Sequence, residues 1–191
     1  MPREFALDEE KARELILYIS ERCADAPTFG ATVLNKVLWA ADFLMYAQRG
    51  QPITGFEYQK LPFGPAPRRL LPIRERMREE GILGVQEITL RGAKVQQRTV
   101  NLRRANLGVF TAEEIAMVER ALEWMSGMRA KQVSDLSHEL LLGWQAAAEG
   151  ETIPYATVFA SSPPLSEEEK LRGGELAGRL AAGGVGAKRG R

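Results

Sequence analysis

The side chains that could carry out hydrolysis lie in one short segment around the only histidine of the chain. His138 follows Ser134 by four residues and Asp135 by three, so the three side chains would share one face of a helix. Imidazole has the one unperturbed side-chain pKa near neutrality, which makes His138 the natural general base. Neighbours on a single helix rarely direct their functional atoms at a common reacting centre. We therefore expect His138 to hold the following turn, and we predict no catalytic residue and no enzyme activity.

The composition argues against a metal site, an intrachain disulfide and a bound cofactor. One cysteine and one histidine cannot build a zinc site of the usual Cys and His type, and a single cysteine forms no intrachain disulfide. Cys23 lies on the apolar stripe of a predicted helix, where we expect a buried and unreactive thiol. The glycine-rich end of the chain lacks the Gly-Lys-Ser/Thr core of a phosphate loop. We predict no metal and no cofactor.

A line of polar and aromatic side chains runs along an otherwise apolar helix predicted from about Thr32 to Arg49. Their spacing of three and four residues places them on one face: Asn35, Trp39, Asp42, Tyr46 and Arg49. One interpretation is that the line packs against the extended segment that follows and bonds its backbone, because buried polar groups need partners. The other is a partner-binding surface. Complete burial of Trp39 and Asp42 would exclude the second interpretation for those two residues.

A basic block follows, in a predicted third helix and a predicted hairpin between Ile82 and Leu102. Three helices followed by a basic hairpin match the order of a winged-helix DNA-binding domain. The alternative is a solvated surface paired with its own glutamates. Pro72 also distorts the helix that would read DNA, unless that helix starts near Leu71. The residues that would contact nucleic acid are Arg74, Arg78, Arg91, Lys94 and Arg98.

The elements that must position these residues predict a mainly α fold with a small β element (α+β). A helical core surrounds the central apolar helix, with one short strand near Ile53 to Leu61, a fixed Gly-Pro turn and the β-hairpin. Asp8 is a predicted N-cap, and Thr111 with Glu114 forms a predicted capping box. We predict one domain over residues 1–160 and a partly disordered tail over 161–191, because the last residues have little apolar content.

The expected location is the cytoplasm. The 191 residues carry a net charge of +1, and the acidic start of the sequence lacks the apolar run of a signal peptide. No segment approaches the roughly 18 apolar residues of a membrane span. We therefore expect no membrane partner, and the sequence predicts no particular oligomeric state.

Residues 34–67, LNKVLWAADFLMYAQRGQPITGFEYQKLPFGPAP, resemble the signature of the Panacea (SocA-like) antitoxin domain family. FTAEEIAMVERAL, VSDLSHELLLGW and IPYATVF also resemble segments of that family, in the same order, so the resemblance covers about residues 8–160. The interval from His138 to Trp144 looks about one residue longer than the corresponding interval in the family. The resemblance implies a mostly helical domain of a bacterial or phage toxin-antitoxin pair, which neutralises a cognate protein toxin by binding it.

For the contact surface we predict the polar line of the second helix, the turn at Gly64 and Pro65, and His138 and Trp144. Aromatic and arginine side chains dominate interface energies, which favours these positions. A winged-helix-like DNA-binding regulator remains the alternative from a different class. A phage accessory protein or proteolysis adaptor shares the binding-module class with an antitoxin and cannot be separated from it by sequence.

Overall fold

The computed structural model describes residues 5–89, 95–128, 131–135, 142–160 and 171–172. Internal contacts divide the chain into a unit of residues 1–161 and a unit of residues 162–191. All elements described below belong to the first unit.

The fold is α+β, as predicted, and its strands form two separate antiparallel hairpins rather than one sheet. The helices are α1 (Glu9–Arg22), α2 (Ala31–Arg49), α3 (Leu70–Glu79), α4 (Ala112–Met125), α5 (131–135) and α6 (Leu142–Ala146), with 3-10 turns at Leu107–Val109 and Tyr155–Ala160. The strands are β1 (Tyr58–Leu61), β2 (Gly64–Pro67), β3 (Leu83–Thr89) and β4 (Val95–Asn101). None of the described helices is both long and apolar enough to span a membrane.

Helix α2 lies at the centre of the core, as its apolar composition predicts. Leu34, Val37, Leu38 and Ala41 are fully buried. The helix ends at Gly50, whose φ of 71° is the left-handed conformation that glycine adopts without strain. The caps predicted for the neighbouring helices are also confirmed: Asp8 accepts from Lys11 N at the start of α1, and α4 begins with the complete capping box.

The first hairpin differs from the sequence prediction of one strand and a fixed turn. Gly64–Pro67 is itself a strand, which pairs with β1 in the register Leu61↔Gly64, and the turn is formed by Pro62 and Phe63. Proline has no N–H to give to a ladder, so a Pro-rich run reads as a turn in sequence. The prolines of β2 alternate with Gly64 and Ala66, at positions whose nitrogens face away from β1 in this register.

Pro72 does not kink α3, because the helix begins at Leu70 and Pro72 lies in its first turn. The amides of a first turn have no intrahelical acceptor, so the missing N–H removes no hydrogen bond. The second hairpin follows at once, with β3 and β4 paired from Leu83↔Asn101 to Thr89↔Val95. The turn predicted at residues 91–93 lies outside the described residues.

Candidate functional site

Asp42 is the centre of a buried hydrogen-bond network that fixes the segment after α2. Its Oδ1 accepts from Ile53 N at 2.9 Å and Thr54 N at 2.8 Å, and its Oδ2 accepts from Thr54 Oγ1 at 2.5 Å and Tyr58 OH at 2.8 Å. Burial raises the pKa of Asp42, and the hydrogen bonds from Thr54 and Tyr58 oppose that rise. The carboxylate thus bonds the backbone of the following segment, as the first interpretation of the polar line predicts.

The assignment of Asp42 and Trp39 to a partner surface is therefore wrong. Asp42 is completely buried and Trp39 is 5% exposed. The Trp39 ring packs against Phe43 and Trp124, with ring centroids 5.8 and 6.5 Å away. Helical spacing showed that these side chains share a face, but α4 and the segment after α2 cover that face.

The other members of the polar line lie nearer the surface. Arg49 is exposed and pairs with Glu113 of α4, its Nη2 2.5 Å from the carboxylate. Tyr46 is half-buried and packs edge-on against Phe5 and at a tilt against Tyr155. Asn35 is also half-buried, so partner contact by Asn35, Tyr46 and Arg49 stays a prediction.

Lys36 is a buried lysine that the sequence interpretation did not single out as functional. Its side chain is 2% exposed, and its Nζ donates to Pro65 O of β2 at 3.1 Å. Burial lowers the pKa of Lys36 from 10.5 to about 7. Among the described residues no carboxylate pairs with it. A lysine in the middle of an apolar helix was the available signal, and here it connects α2 to the first hairpin.

The turn of the first hairpin exposes a different residue from the two that the sequence predicts. Gly64 and Pro65 are buried, so their assignment as contact residues is wrong. Gly64 has a φ of 99°, a conformation that L side chains rarely adopt, which lets the chain turn sharply after Pro62 and Phe63. The exposed residues are Pro62 and Phe63, of which Phe63 is 72% exposed.

Two helices support this turn through its backbone. Ser134 Oγ of α5 donates to Phe63 O at 2.9 Å, and Trp144 Nε1 of α6 donates to Leu61 O at 3.3 Å. Lys60 Nζ lies 4.5 Å from the centre of the Trp144 ring and donates to Ala147 O at 2.9 Å. Ser134 is buried and bonded to a carbonyl, which is a structural use of the residue considered above as a nucleophile. Trp144 is half-buried, so contact with a partner by Trp144 stays a prediction.

The three predicted DNA-contacting arginines that the structure describes each bond to groups of the domain itself. Arg74 is 6% exposed and donates to Thr99 Oγ1 of β4 at 3.0 Å, and burial lowers its pKa. Its assignment as a DNA contact is wrong, because the second hairpin covers the face of α3 on which it lies. Arg78 is exposed and pairs with Glu75.

Arg98 binds the end of the α1 region instead of projecting into solvent. Its guanidinium donates to Ala24 O at 3.0 Å and to Ala26 O. Arg91, Lys94 and His138 lie outside the described residues. The structure thus assembles no basic reading surface from Arg74, Arg78 and Arg98.

One family model matches the part of the chain that carries the Asp42 network and the first hairpin. Residues 34–145, more than half of the chain, match the family model of the antitoxin SocA-like, Panacea domain. The chain belongs to this SocA-like Panacea family. No curated protein and no solved structure matches it. The matched region extends from α2 to α6 and so includes Lys36, the Asp42 network, Phe63 and Trp144.

Proposed function

We propose that this protein is an antitoxin, which neutralises a cognate protein toxin in the cytoplasm by binding it directly and not by catalysis. Membership of the SocA-like Panacea family is the observation that carries the proposal. The family description names an antitoxin but no partner, so the toxin is defined here only as a protein that is harmful when made alone.

The internal bonding of the domain supports a role in binding. Asp42, Ser134 and Arg74 each bond to neighbouring parts of the same fold, and in the described residues these polar groups serve packing. Proteins that act by association need a stable surface more than an accessible reactive group. Among the predicted contacts we keep the exposed Arg49 and the half-buried Asn35, Tyr46 and Trp144. His138, which lies outside the described residues, also remains a proposed contact.

Co-expression with the adjacent open reading frame tests this function. The neighbouring gene alone should arrest growth, and growth should return when this protein is made with it. A tagged form of this protein should then bring down the neighbour's product in near-equal amount. The proposal fails if the neighbour is harmless alone, or if it remains toxic while this protein is present and soluble.

A transcription-level effect needs a separate control, because loss of toxin synthesis also restores growth. Both genes should therefore be placed under unrelated promoters, with toxin abundance measured in each culture. Rescue with unchanged toxin abundance supports neutralisation by binding. Rescue that tracks a fall in toxin mRNA contradicts it.

A further inference from the structure

We infer that the turn Pro62–Phe63 is the anchor of the partner interface, and that Phe63 inserts into a neutral, apolar pocket of the partner. The inference rests on the proposed function and names the surface through which that function is exercised. Phe63 stands in the region that matches the family model, at the end of the first hairpin.

Exposure alone does not mark a site, since scattered apolar residues are common on protein surfaces. Phe63 differs from a scattered residue because the backbone that carries it is held at the end of β1 and at the turn itself. Leu61 O accepts from Trp144, and Phe63 O accepts from Ser134. The ring is exposed although its own main chain is bonded to the body of the domain.

The outer edge of β1 is also bonded, so β1 has backbone partners along both of its edges. Lys60 N donates to Glu151 O at 2.9 Å, Gly150 N donates to Lys60 O at 2.8 Å, and Ile153 N donates to Tyr58 O at 2.8 Å. Together with β2, these bonds place β1 between two paired segments. The tip therefore projects from a fixed base.

Local sequence restricts the turn further. Pro62 locks its own φ near −65°, and the positive φ that the turn requires falls on Gly64. A side chain on a preorganised backbone loses little conformational freedom when it binds. Rigid aromatic residues of this kind are the usual hot spots of protein interfaces.

The charges beside the tip indicate the chemistry of the partner. Lys60 is directed at the Trp144 ring and a backbone carbonyl. Lys131 Nζ lies 2.8 Å from the Asp135 carboxylate, and both residues are within one helical turn of Ser134. The charges of Lys131 and Asp135 offset each other, and Lys60 is a single cation held by the ring and the carbonyl, so these three residues form no cluster of like charge. A neutral apolar pocket on a protein fits this surface better than a nucleic acid or an anionic membrane, because both of those bind clusters of several cations.

The test compares Phe63→Ala with Leu102→Ala, a control that removes a different exposed apolar side chain, 62% exposed, from the loop after the second hairpin. Affinity for the purified product of the adjacent reading frame is measured by calorimetry, and the melting temperature of each variant is recorded. Phe63→Ala should weaken binding by about thirtyfold or more, as hot-spot residues do. Leu102→Ala should stay within about threefold of the unchanged protein. Because both side chains are exposed, neither variant should lose its fold.

Two further variants define the pocket. Phe63→Leu should restore much of the affinity lost in Phe63→Ala, whereas Phe63→Lys should bind more weakly than Phe63→Ala because the pocket is neutral and apolar. Binding of Phe63→Ala within threefold of the unchanged protein would overturn the anchor and leave the antitoxin function standing. A dimer that Phe63→Ala converts to a monomer without loss of toxin binding would also overturn it, because Phe63 would then face a second copy. Absence of binding by the unchanged protein would overturn both the function and the anchor.

Discussion

Replacing Lys36 by methionine should stabilise this protein at neutral pH. Lys36 is 2% exposed, and within the described residues its ammonium has one acceptor, Pro65 O, for three N–H groups. Methionine fills a similar volume without a charge that must be removed from water. Exchanging a buried charged group for a packed apolar one is often neutral or stabilising, so the expected sign is positive.

The pKa of Lys36 sets the size of the effect. The fall of the Lys36 pKa from 10.5 to about 7 corresponds to a cost of about 4 to 5 kcal/mol for keeping the charged form in the folded state. Loss of the charge-assisted hydrogen bond to Pro65 offsets about 1.5 to 3 kcal/mol. Lys36→Met should therefore raise the free energy of unfolding by about 1 to 3 kcal/mol at pH 7.

The direction of the pH dependence follows from the same pKa values. Between about pH 7 and pH 10.5 the unfolded chain binds a proton at Lys36 that the folded chain has released, so the stability of the unchanged protein rises with pH in this window. Below about pH 7 both states are protonated and the full cost remains. Between pH 7 and pH 10 the free energy of unfolding of the unchanged protein should rise by about 3 kcal/mol relative to that of Lys36→Met.

Urea unfolding of both proteins at several pH values from 6 to 10 measures this difference. All other titrating groups are common to the two chains, so their contributions cancel in the comparison. Lys60→Met is a matched control, because it removes a half-buried lysine from the hairpin to which Lys36 donates. A stability difference between Lys36→Met and the unchanged protein that is constant with pH would refute the reasoning.

Three further predictions concern the core. Asp42→Ala should lower the free energy of unfolding by about 3 to 5 kcal/mol in urea titrations, because it leaves two buried amides and two hydroxyls without their acceptor; a loss below about 1 kcal/mol would contradict this. Gly55→Ala should lower the free energy of unfolding by more than about 2 kcal/mol, because Gly55 has a φ of 72° and an added Cβ would meet Ala6 O. Gly50→Ala, at a φ of 71° but with open space around it, should lower it by about 1 kcal/mol. Equal losses would show that the Ala6 contact is unimportant. Cys23, whose thiol pKa is raised by burial, should react with a disulfide reagent at pH 8 at least several-fold more slowly in the folded protein than in urea, and equal rates would contradict the burial.

Local sequence predicted the parts of the fold that depend on local chemistry. Asp8, Gly50 and Thr111 end or begin helices as expected, because capping involves residues within one turn of each other. The strand at Gly64–Pro67 was missed because every second residue is a proline, which has no N–H to donate to a neighbouring strand. Only the register with β1 shows that these prolines fall at positions where no such donor is needed.

The site was less predictable because it depends on which surfaces the fold covers. Spacing placed Trp39 and Asp42 on one face of α2, but it carried no information about the segment that packs there. Phe63 was overlooked for the same reason: its value as a contact comes from support by Ser134 and Trp144, which are about 70 and 80 residues away in sequence. Such long-range support leaves no periodic signal in the chain.

The central claim is that this protein silences a toxin by forming a complex with it. Titrating the purified product of the adjacent reading frame with the purified protein, while following the toxin's own activity, tests that claim most directly. We predict that activity falls linearly and ends at a fixed stoichiometry, with a stable complex of the two chains recovered at the end point. Undiminished toxin activity in the presence of a molar excess of folded protein would contradict the account.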